Sequence, residues 1–267
     1  MQNIVLKIDH VTHYFGGLRA VSDFDMALPE GVIWGLIGPN GAGKTTIFNL
    51  ITGVYVPTKG KIYLRQKKHR GYVMKDITKY KPHTIVSKGI ARTFQNLRVF
   101  NNLTVLDNIR IAGHFRVKYG LYDAVVKNKK FREEEEKLRE EAMSLLKTFN
   151  LHSRAYTLAK ALPYGELRRL EIARALATHP TLLLLDEPAA GMNPKETEEL
   201  MDMIRWIRKE FNLTIFLIEH HMKFVMGICE RIKVMDFGET IAEGTPEEVS
   251  NNPRVIEAYL GRKKQNA

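Results

Sequence analysis

The chain has 267 residues, 44% of them hydrophobic, which suffices for one large α/β domain or two small ones with a substantial core. No apolar run reaches the roughly 18–20 residues of a membrane-spanning helix, and no N-terminal segment has the pattern of a secretory signal. The single cysteine, Cys229, excludes an internal disulfide, so the composition favours a soluble protein of a reducing compartment.

The net charge of +11 is concentrated in one stretch. Residues 59–98 contain twelve Lys or Arg residues against one acid, Asp76, so this stretch alone carries the whole excess. A local basic patch suggests an anionic partner, such as a nucleotide, lipid headgroups or nucleic acid. A solvated surface hairpin is the alternative, and the charge run by itself does not decide between them.

The first part of the chain is predicted to be mainly β-structure, from alternating or continuous apolar residues. Its predicted elements are strands at 3–9, 21–28 and 32–38, a helix at 44–52 and a hairpin at 59–76. Gly53 is expected to close the helix. Gly60 and Gly71 are expected to interrupt the hairpin.

The middle of the chain is predicted to be helical. Helices are expected at 80–88, 104–115 and 127–147, with Asn102 or Thr104 capping the second. Another helix follows in LPYGELRRLEIARAL, residues 162–176, where apolar residues recur at roughly helical spacing. Its start is unusual, because Pro163, Tyr164 and Gly165 form a turn and Glu166 opens the first helical turn.

The last part of the chain alternates strands with helices. Strands are predicted at 181–186, 213–218 and 231–236, helices at 195–210 and 221–229, then a short antiparallel return at 239–243 and one or two terminal helices. Such alternation implies a parallel sheet. The sequence therefore predicts an α/β core that is interrupted by a helical insertion.

The segment GPNGAGKTT at 38–46 matches the pattern G-x-x-x-x-G-K-[ST] of phosphate-binding loops. Glycines let the backbone wrap closely around phosphates, Lys44 supplies a positive charge, and the Thr45 hydroxyl can ligate Mg²⁺. The segment follows a predicted strand and opens a predicted helix, whose positive end is directed at the same place. This context argues against an ordinary glycine-rich turn.

Polar residues follow two apolar runs further along the chain. Asp186 ends LLLLD, where a carboxylate can hold Mg²⁺ through water, and Glu187 can polarise a water for attack on a γ-phosphate. His220 follows IFLIE and could donate to a γ-phosphate, because ligands bind at the carboxyl ends of strands in open α/β sheets. Alone, two acids can simply cap a strand and a histidine is often structural.

Six motifs occur in the order found in ATP-binding cassette ATPases, and the chain resembles that family over almost its whole length. The motifs are GPNGAGKTT (38–46), RTFQ (92–95), LPYGE (162–166), LLLLDEP (182–188), AAGMNP (189–194) and IEHH (218–221). Within the family, the chain is similar to the ATPase subunits of branched-chain amino-acid transporters of bacteria and archaea. The segments that carry this finer resemblance are RTFQNLRVFNNLTVLDNI, YGELRRLEIARAL, DEPAAGMNPKET and EGTPEEVSNNPRVIEAYLG.

The resemblance implies a role for each matching position. Phe15 would stack on adenine, with Tyr14 as the competing choice. The residues that would bind the phosphates are Gly38, Pro39, Asn40, Gly41, Ala42, Gly43, Lys44, Thr45 and Thr46. Those that would surround Mg²⁺ are Thr45, Gln95 and Asp186. Glu187 would be the catalytic base and His220 the γ-phosphate switch, and Gln95 would also couple the nucleotide state to the transporter.

The resemblance also offers a reason for the unusual helix start. In the family this turn lies across a dimer interface and offers N–H groups and a helix N-terminus to the γ-phosphate held by the other subunit. The residues in question are Leu162, Pro163, Tyr164, Gly165 and Glu166. Three positions depart from the family pattern: Pro163 replaces a serine, Asn193 an aspartate of the dimer loop, and His221 an aspartate.

The architecture that the resemblance implies is an α/β P-loop NTPase core with a parallel sheet, an antiparallel β subdomain and an inserted α-helical subdomain. Within one nucleotide-binding domain, 1–267, the expected parts are the core at 1–95 and 179–245, the helical subdomain at 96–178 and a C-terminal helical extension at 246–267.

The function implied is that of the ATP-hydrolysing subunit of an importer of branched-chain or other amino acids. It would use ATP and Mg²⁺ on the cytoplasmic face of the membrane and pair with itself or a sister ATPase. Its other partners would be separate permease subunits and, indirectly, a substrate-binding protein, with no nucleic acid expected. The alternatives are a nucleic-acid-handling cassette ATPase, suggested by the basic stretch, and a P-loop small-molecule kinase, disfavoured by LPYGE and the histidine switch.

Overall fold

The computed structural model describes residues 3–69 and 71–260, which form two compact units. The first unit comprises the described residues of Met1–Arg92 and Thr181–Ala267, and the second is Thr93–Pro180. The predicted C-terminal extension is helical as far as Leu260, and its residues 261–267 lie outside the described part of the chain.

The elements are numbered in chain order. The strands are β1 (Ile4–Phe15), β2 (Leu18–Pro29), β3 (Ile33–Ile37), β4 (Lys59–Lys68), β5 (Gly71–Asp76), β6 (Ile90–Arg92), β7 (Leu182–Asp186), β8 (Thr214–Ile218), β9 (Arg231–Asp236) and β10 (Glu239–Gly244). The α-helices are α1 (Lys44–Ile51), α2 (Pro82–Ser87), α3 (Val105–Gly113), α4 (Leu121–Val126), α5 (Lys129–Thr148), α6 (Tyr164–Leu176), α7 (Pro194–Glu210), α8 (Met222–Ile228), α9 (Pro246–Ser250) and α10 (Pro253–Leu260).

One sheet of the first unit is antiparallel, in the order β2-β1-β4-β5. Strand β1 continues well past the predicted end at residue 9, because a bulge at His10, with φ +48°, interrupts the alternation on which the prediction rested. The prediction that Gly60 breaks the hairpin was wrong. Gly60 lies inside β4 with φ +83°, and a Cβ there would come within 2.3 Å of the His10 carbonyl oxygen, so the bulge requires a glycine.

The second sheet has the order β10-β9-β3-β8-β7-β6 and is parallel except for the β9–β10 pair. Strands β3, β7 and β8 are buried along their whole length, as their continuous apolar runs predict. Strand β6 was missed, since three residues are too few for a periodic signal; it pairs with β7 through Ile90 and Leu182. The predicted α/β class, with a parallel and an antiparallel sheet, is confirmed.

The second unit is built from α3, α4, α5 and α6. Thr104 caps α3, because its hydroxyl accepts from the Asp107 N–H at 3.0 Å, which settles the choice left open between Asn102 and Thr104. Helix α6 begins at Tyr164, two residues before the predicted start at Glu166. Pro163 at the capping position has φ −59°, which already suits a helix.

A buried ion pair fixes α6 inside the second unit. Arg168 and Glu171 lie 2.7 Å apart and are 1% and 2% exposed, so charged residues occupy positions that helical spacing alone would assign to apolar ones. The pair also bonds the backbone of Phe94, with Arg168 donating to its carbonyl at 3.1 Å and Glu171 accepting from its N–H at 3.2 Å. The segment that carries Gln95 is therefore held against α6.

Among the described residues, we find no helix that combines the length and the apolar character needed to cross a membrane.

Candidate nucleotide-binding site

The loop between β3 and α1 depends on glycines at fixed positions. Gly38 has φ +151°, and a Cβ there would lie 2.1 Å from the Met235 carbonyl oxygen; at Gly43, with φ +97°, a Cβ would lie 2.5 Å from the Ala20 carbonyl oxygen. Gly41 has φ +81° but faces open space. Gly38 and Gly43 let the loop pack on neighbouring strands, and Gly41 leaves the inside of the loop free for a ligand's close approach.

Lys44 is the first residue of α1; its side chain lies against this loop, and the residue is 7% exposed. Its ammonium group donates to the carbonyl oxygens of Gly38 and Pro39, at 2.7 and 2.9 Å. Burial lowers the pKa of Lys44, and the nearby carboxylates of Glu187 and Asp186, at the end of β7, oppose that change.

Helix α1 begins at Lys44 with no side-chain capping bond and no acidic residue in its first turn. Its first N–H groups and the positive end of its dipole are therefore available to an anionic group within the loop. Lys44 and this helix end together make the site fit the phosphates of a nucleotide.

Asp186, at the end of β7, is buried and paired with Arg92. The guanidinium of Arg92 donates to the Asp186 carboxylate at 2.6 Å and to the side-chain oxygen of Asn49 at 2.7 Å. Arg92 thus joins β6, β7 and α1 at the edge where the ligand is expected. The sequence offered only the RTFQ motif as a signal, and no role for its arginine was predicted.

Glu187 and His220 are brought together by the neighbouring strands β7 and β8. The His220 Nδ1 lies 3.6 Å from a Glu187 carboxylate oxygen. Glu187 has φ +45°, in the left-handed region that is unfavourable for a residue with a side chain, and its N–H donates to the Ile218 carbonyl at 2.9 Å. The sheet therefore holds the Glu187 side chain in a specific direction at the strand end.

Glu219 has a part in this site that the sequence analysis missed. It is fully buried, and its carboxylate accepts from the N–H groups of Ala189, His220 and His221 at 2.9, 3.0 and 3.3 Å. It therefore ties the loop after Glu187 to the histidines after β8. The only signal was an acid directly after the apolar run IFLI.

Replacing Glu219 with alanine is expected to lower both stability and turnover. Three N–H groups would lose their acceptor, at a cost of about 2–5 kcal/mol, and the loops that carry Glu187 and His220 would become less ordered. We expect kcat for ATP hydrolysis to fall more than KM rises, since Lys44 and its loop are unchanged. Urea unfolding and steady-state ATPase assays measure the two effects.

The matched control is Glu198→Gln on α7, whose exposed side chain contacts Lys223 at 3.3 Å. It should shift the free energy of unfolding by no more than about 0.5 kcal/mol. A Glu219→Ala protein that unfolds at the urea concentration of the wild type would contradict the positioning role of Glu219.

The predicted adenine contact, Phe15, ends β1 and is 41% exposed, close to the 39% of Tyr14. Its ring meets the rings of His13 and Tyr55 nearly at right angles, at centroid distances of 4.6 and 5.1 Å. These edge contacts fix the orientation of the Phe15 ring and leave part of it accessible.

The turn at 162–166 belongs to the second unit. Leu162 is buried, whereas Pro163 and Tyr164 are exposed. A Cβ at Gly165 would meet nothing within 4 Å, and this residue does not have a positive φ. Nothing in the described structure of the chain therefore requires a glycine at this position.

Asn193, where the family pattern has aspartate, caps α7. Its side chain accepts from the Glu196 N–H at 3.0 Å, and the Glu196 carboxylate accepts from the Asn193 N–H at 2.9 Å. Asparagine serves this capping box as well as aspartate does, so the departure leaves the helix start intact.

The terminal helix α10 reaches the phosphate loop through Tyr259. Burial raises the pKa of the Tyr259 hydroxyl, and a backbone hydrogen bond from Gly38 opposes that change. No role for Tyr259 was predicted, although it belongs to the AYLG segment that carried part of the resemblance.

Comparison with known proteins gives consistent matches along the chain. The family described as "ABC transporter" matches residues 21–190, and the family described as "Branched-chain amino acid ATP-binding cassette transporter" matches residues 239–264. The high-affinity branched-chain amino acid transport ATP-binding protein LivG of Salmonella typhimurium is 46% identical over 98% of this chain and 99% of its own length.

Two further relatives extend the comparison. The probable LivG of Archaeoglobus fulgidus is 34% identical, covering 96% of this chain and 95% of the relative. A solved ATP-binding cassette of an ABC transporter, in its ADP conformation, superposes with a TM-score of 0.81 at 30% identity, over 97% of this chain and 99% of that one.

Proposed function

Since the chain belongs to the ABC transporter family and is one of its ATPase cassettes, we propose that it is the ATP-hydrolysing subunit of an importer of branched-chain amino acids. The cargo is suggested by the functions of the relatives that match over nearly their full length and by the family match at residues 239–264. The observation that carries the enzymatic part is the phosphate loop whose Gly38 and Pro39 carbonyls accept from Lys44, with Asp186 and Glu187 at the end of β7 in the same sheet as β3.

Nucleotide binding uses the backbone of the loop and the start of α1. The N–H groups of residues 40–46 and the ammonium of Lys44 bind the phosphates, and Phe15 stacks on adenine. Oxygen ligands suit Mg²⁺, and the residues that would hold it are Thr45, Gln95 and Asp186. Bound there, the ion would neutralise charge on the β- and γ-phosphates.

Hydrolysis relies on Glu187 and His220. Glu187 accepts a proton from the attacking water, and its left-handed backbone directs the carboxylate out from the strand end. His220, 3.6 Å from that carboxylate, donates to the γ-phosphate and stabilises the charge that develops on it. Glu219 positions both residues through their loops.

Two such cassettes would bind ATP between them. The start of α6 carries no side-chain capping bond, so its N–H groups can reach the γ-phosphate held by a second subunit. Pro163 offers neither a hydroxyl nor an N–H, so the contact falls to the groups of Tyr164 and Gly165. The open space at Gly165 supports this proposal, since only an approaching partner would require a glycine there.

The remaining partners follow from the proposed importer. Separate permease subunits would span the membrane, and the cassette would bind them at the cytoplasmic face of the membrane. A substrate-binding protein would act indirectly. The second cassette is either another copy of this chain or a sister ATPase. No nucleic acid is proposed, although the basic stretch at 59–98 leaves that alternative to be tested.

Reconstitution tests the proposed function. The chain should co-purify from membranes with its permease subunits, and in proteoliposomes ATP should drive uptake of leucine, isoleucine or valine that depends on the binding protein. Lys44→Ala should abolish that uptake, because it removes the charge that holds the outer phosphates. ATPase activity that responds to DNA or RNA and not to the permease would overturn the proposal in favour of a nucleic-acid function.

A further inference from the structure

The helix α4 in the second unit directs apolar side chains to solvent. Leu121, Tyr122, Val125 and Val126 are 84%, 76%, 74% and 55% exposed. Their spacing of i, i+1, i+4 and i+5 places all four on one side of the helix, which we call the α4 face. A soluble protein ordinarily turns such a face inward, so its exposure needs a reason.

The other side of the segment is anchored, so the outward direction of the α4 face is fixed by specific contacts. The Tyr119 hydroxyl donates to Glu135 at 2.6 Å, and its ring lies 4.9 Å from that of Phe131 on α5. Asp123 accepts from the N–H of Gly120 at 3.0 Å and from the side chain of Asn128 at 2.7 Å. The polar residue of this short helix thus points inward while the apolar residues point outward.

Basic side chains flank the α4 face. The segment 116–132 contains six basic residues and one acid, Asp123, which is already engaged by the bonds just described. The basic residues of the segment that are exposed are Lys118, Lys127, Lys129, Lys130 and Arg132. Lys129 lies 3.6 Å from Glu133 and Lys130 lies 3.7 Å from Asp123, and four glutamates follow at 133–136. The segment therefore combines an outward apolar face with flanking basic side chains, of which Lys118 and Lys127 lie on either side of α4 along the chain.

We propose that the α4 face and its surrounding lysines bind an anionic lipid surface. Apolar and aromatic side chains with flanking lysines are typical of segments that lie at a membrane interface, where each Lys gains from the negative surface potential. A protein partner is less favoured, because lysine is depleted from protein–protein interfaces. The proposal concerns a site apart from the nucleotide loop and does not depend on the cargo proposed above.

Co-sedimentation of the full chain with vesicles tests the proposal. We expect binding to vesicles of phosphatidylcholine mixed with phosphatidylglycerol and little binding to phosphatidylcholine alone, with the difference reduced at high salt. The double variants Leu121→Ser/Val125→Ser and Lys127→Glu/Lys129→Glu should each weaken binding by about tenfold or more. Basal ATPase activity should be unchanged in both, since none of these residues belongs to the nucleotide site.

The matched control is Lys67→Glu/Lys68→Glu, the same charge change at the end of β4 in the basic stretch at 59–98, which is the competing candidate for contact with lipid headgroups. It should bind anionic vesicles like the wild type. As a local probe, Tyr122→Trp should show fluorescence quenching by brominated lipid beyond that of the wild type, which carries Trp34 and Trp206.

Three results would overturn the proposal. One is equal binding to neutral and anionic vesicles. Another is loss of binding in the β4 control while both α4 variants bind normally. The third is unchanged vesicle binding of the α4 variants together with loss of their co-purification with permease, which would make the α4 face a protein interface. If the wild-type protein has no ATPase activity, that result would count against the proposed function and not against lipid binding.

Discussion

Replacing Glu187 with glutamine is expected to lower steady-state ATP hydrolysis by about 10²–10⁴-fold while ATP still binds. The amide keeps the size and hydrogen-bonding shape of the side chain but cannot accept a proton from the attacking water. The backbone strain at φ +45° is the same for both residues, so the strand end should keep its conformation. Because hydrolysis would release the dimer, the variant should accumulate as an ATP-bound dimer, visible by size-exclusion chromatography.

The control for Glu187→Gln is Glu199→Gln, an equivalent change at an exposed position of α7. It should leave both turnover and oligomeric state unchanged. Hydrolysis within threefold of the wild type in Glu187→Gln would show that another group is the base. If the chain pairs only with a sister ATPase, the dimer measurement needs that partner.

Replacing Gly165 with aspartate is expected to abolish ATP-dependent dimerisation and hydrolysis while leaving ATP binding by the single chain unchanged. A carboxylate about 4 Å from a phosphate charge costs about 4 kcal/mol at an effective dielectric constant of 20, or about a thousandfold in dimer affinity. The fold itself should tolerate the change, since a side chain here meets no neighbour and an acid suits the first turn of a helix.

Gly165→Ala separates the effect of charge from that of size. It should keep ATP binding and the fold, and reduce dimerisation less than aspartate does. The measurements are ATP affinity at dilute protein and the dimer fraction in a Glu187→Gln background. If Gly165→Asp weakens ATP binding by the single chain and spares the dimer, the turn serves the chain's own site and the proposal of a contact in trans is wrong.

Local sequence patterns were enough to predict the elements whose residue types and spacing alone indicate their structure. Apolar runs predicted the buried strands, Gly53 predicted the end of α1, and the glycines together with Lys44 predicted the phosphate loop. The prediction failed where the structure of one segment depends on its contacts with another segment that is distant in the sequence. Strand β6 is defined by its pairing with β7, and Gly60 is explained by the bulge at His10 on a different strand.

In the candidate site, too, some features follow from local sequence and others depend on tertiary contacts. By itself, the sequence identified the family and the α/β class, and it predicts the chemistry of Lys44, Asp186 and Glu187, because these depend on residue type and on short spacings along the chain. Only the tertiary structure showed that Arg92 holds Asp186, that Glu219 joins the loops of Glu187 and His220, and that α4 turns its apolar side outward. Burial and hydrogen-bond partners depend on which distant segments the folded chain brings into contact, and no local pattern encodes that pairing.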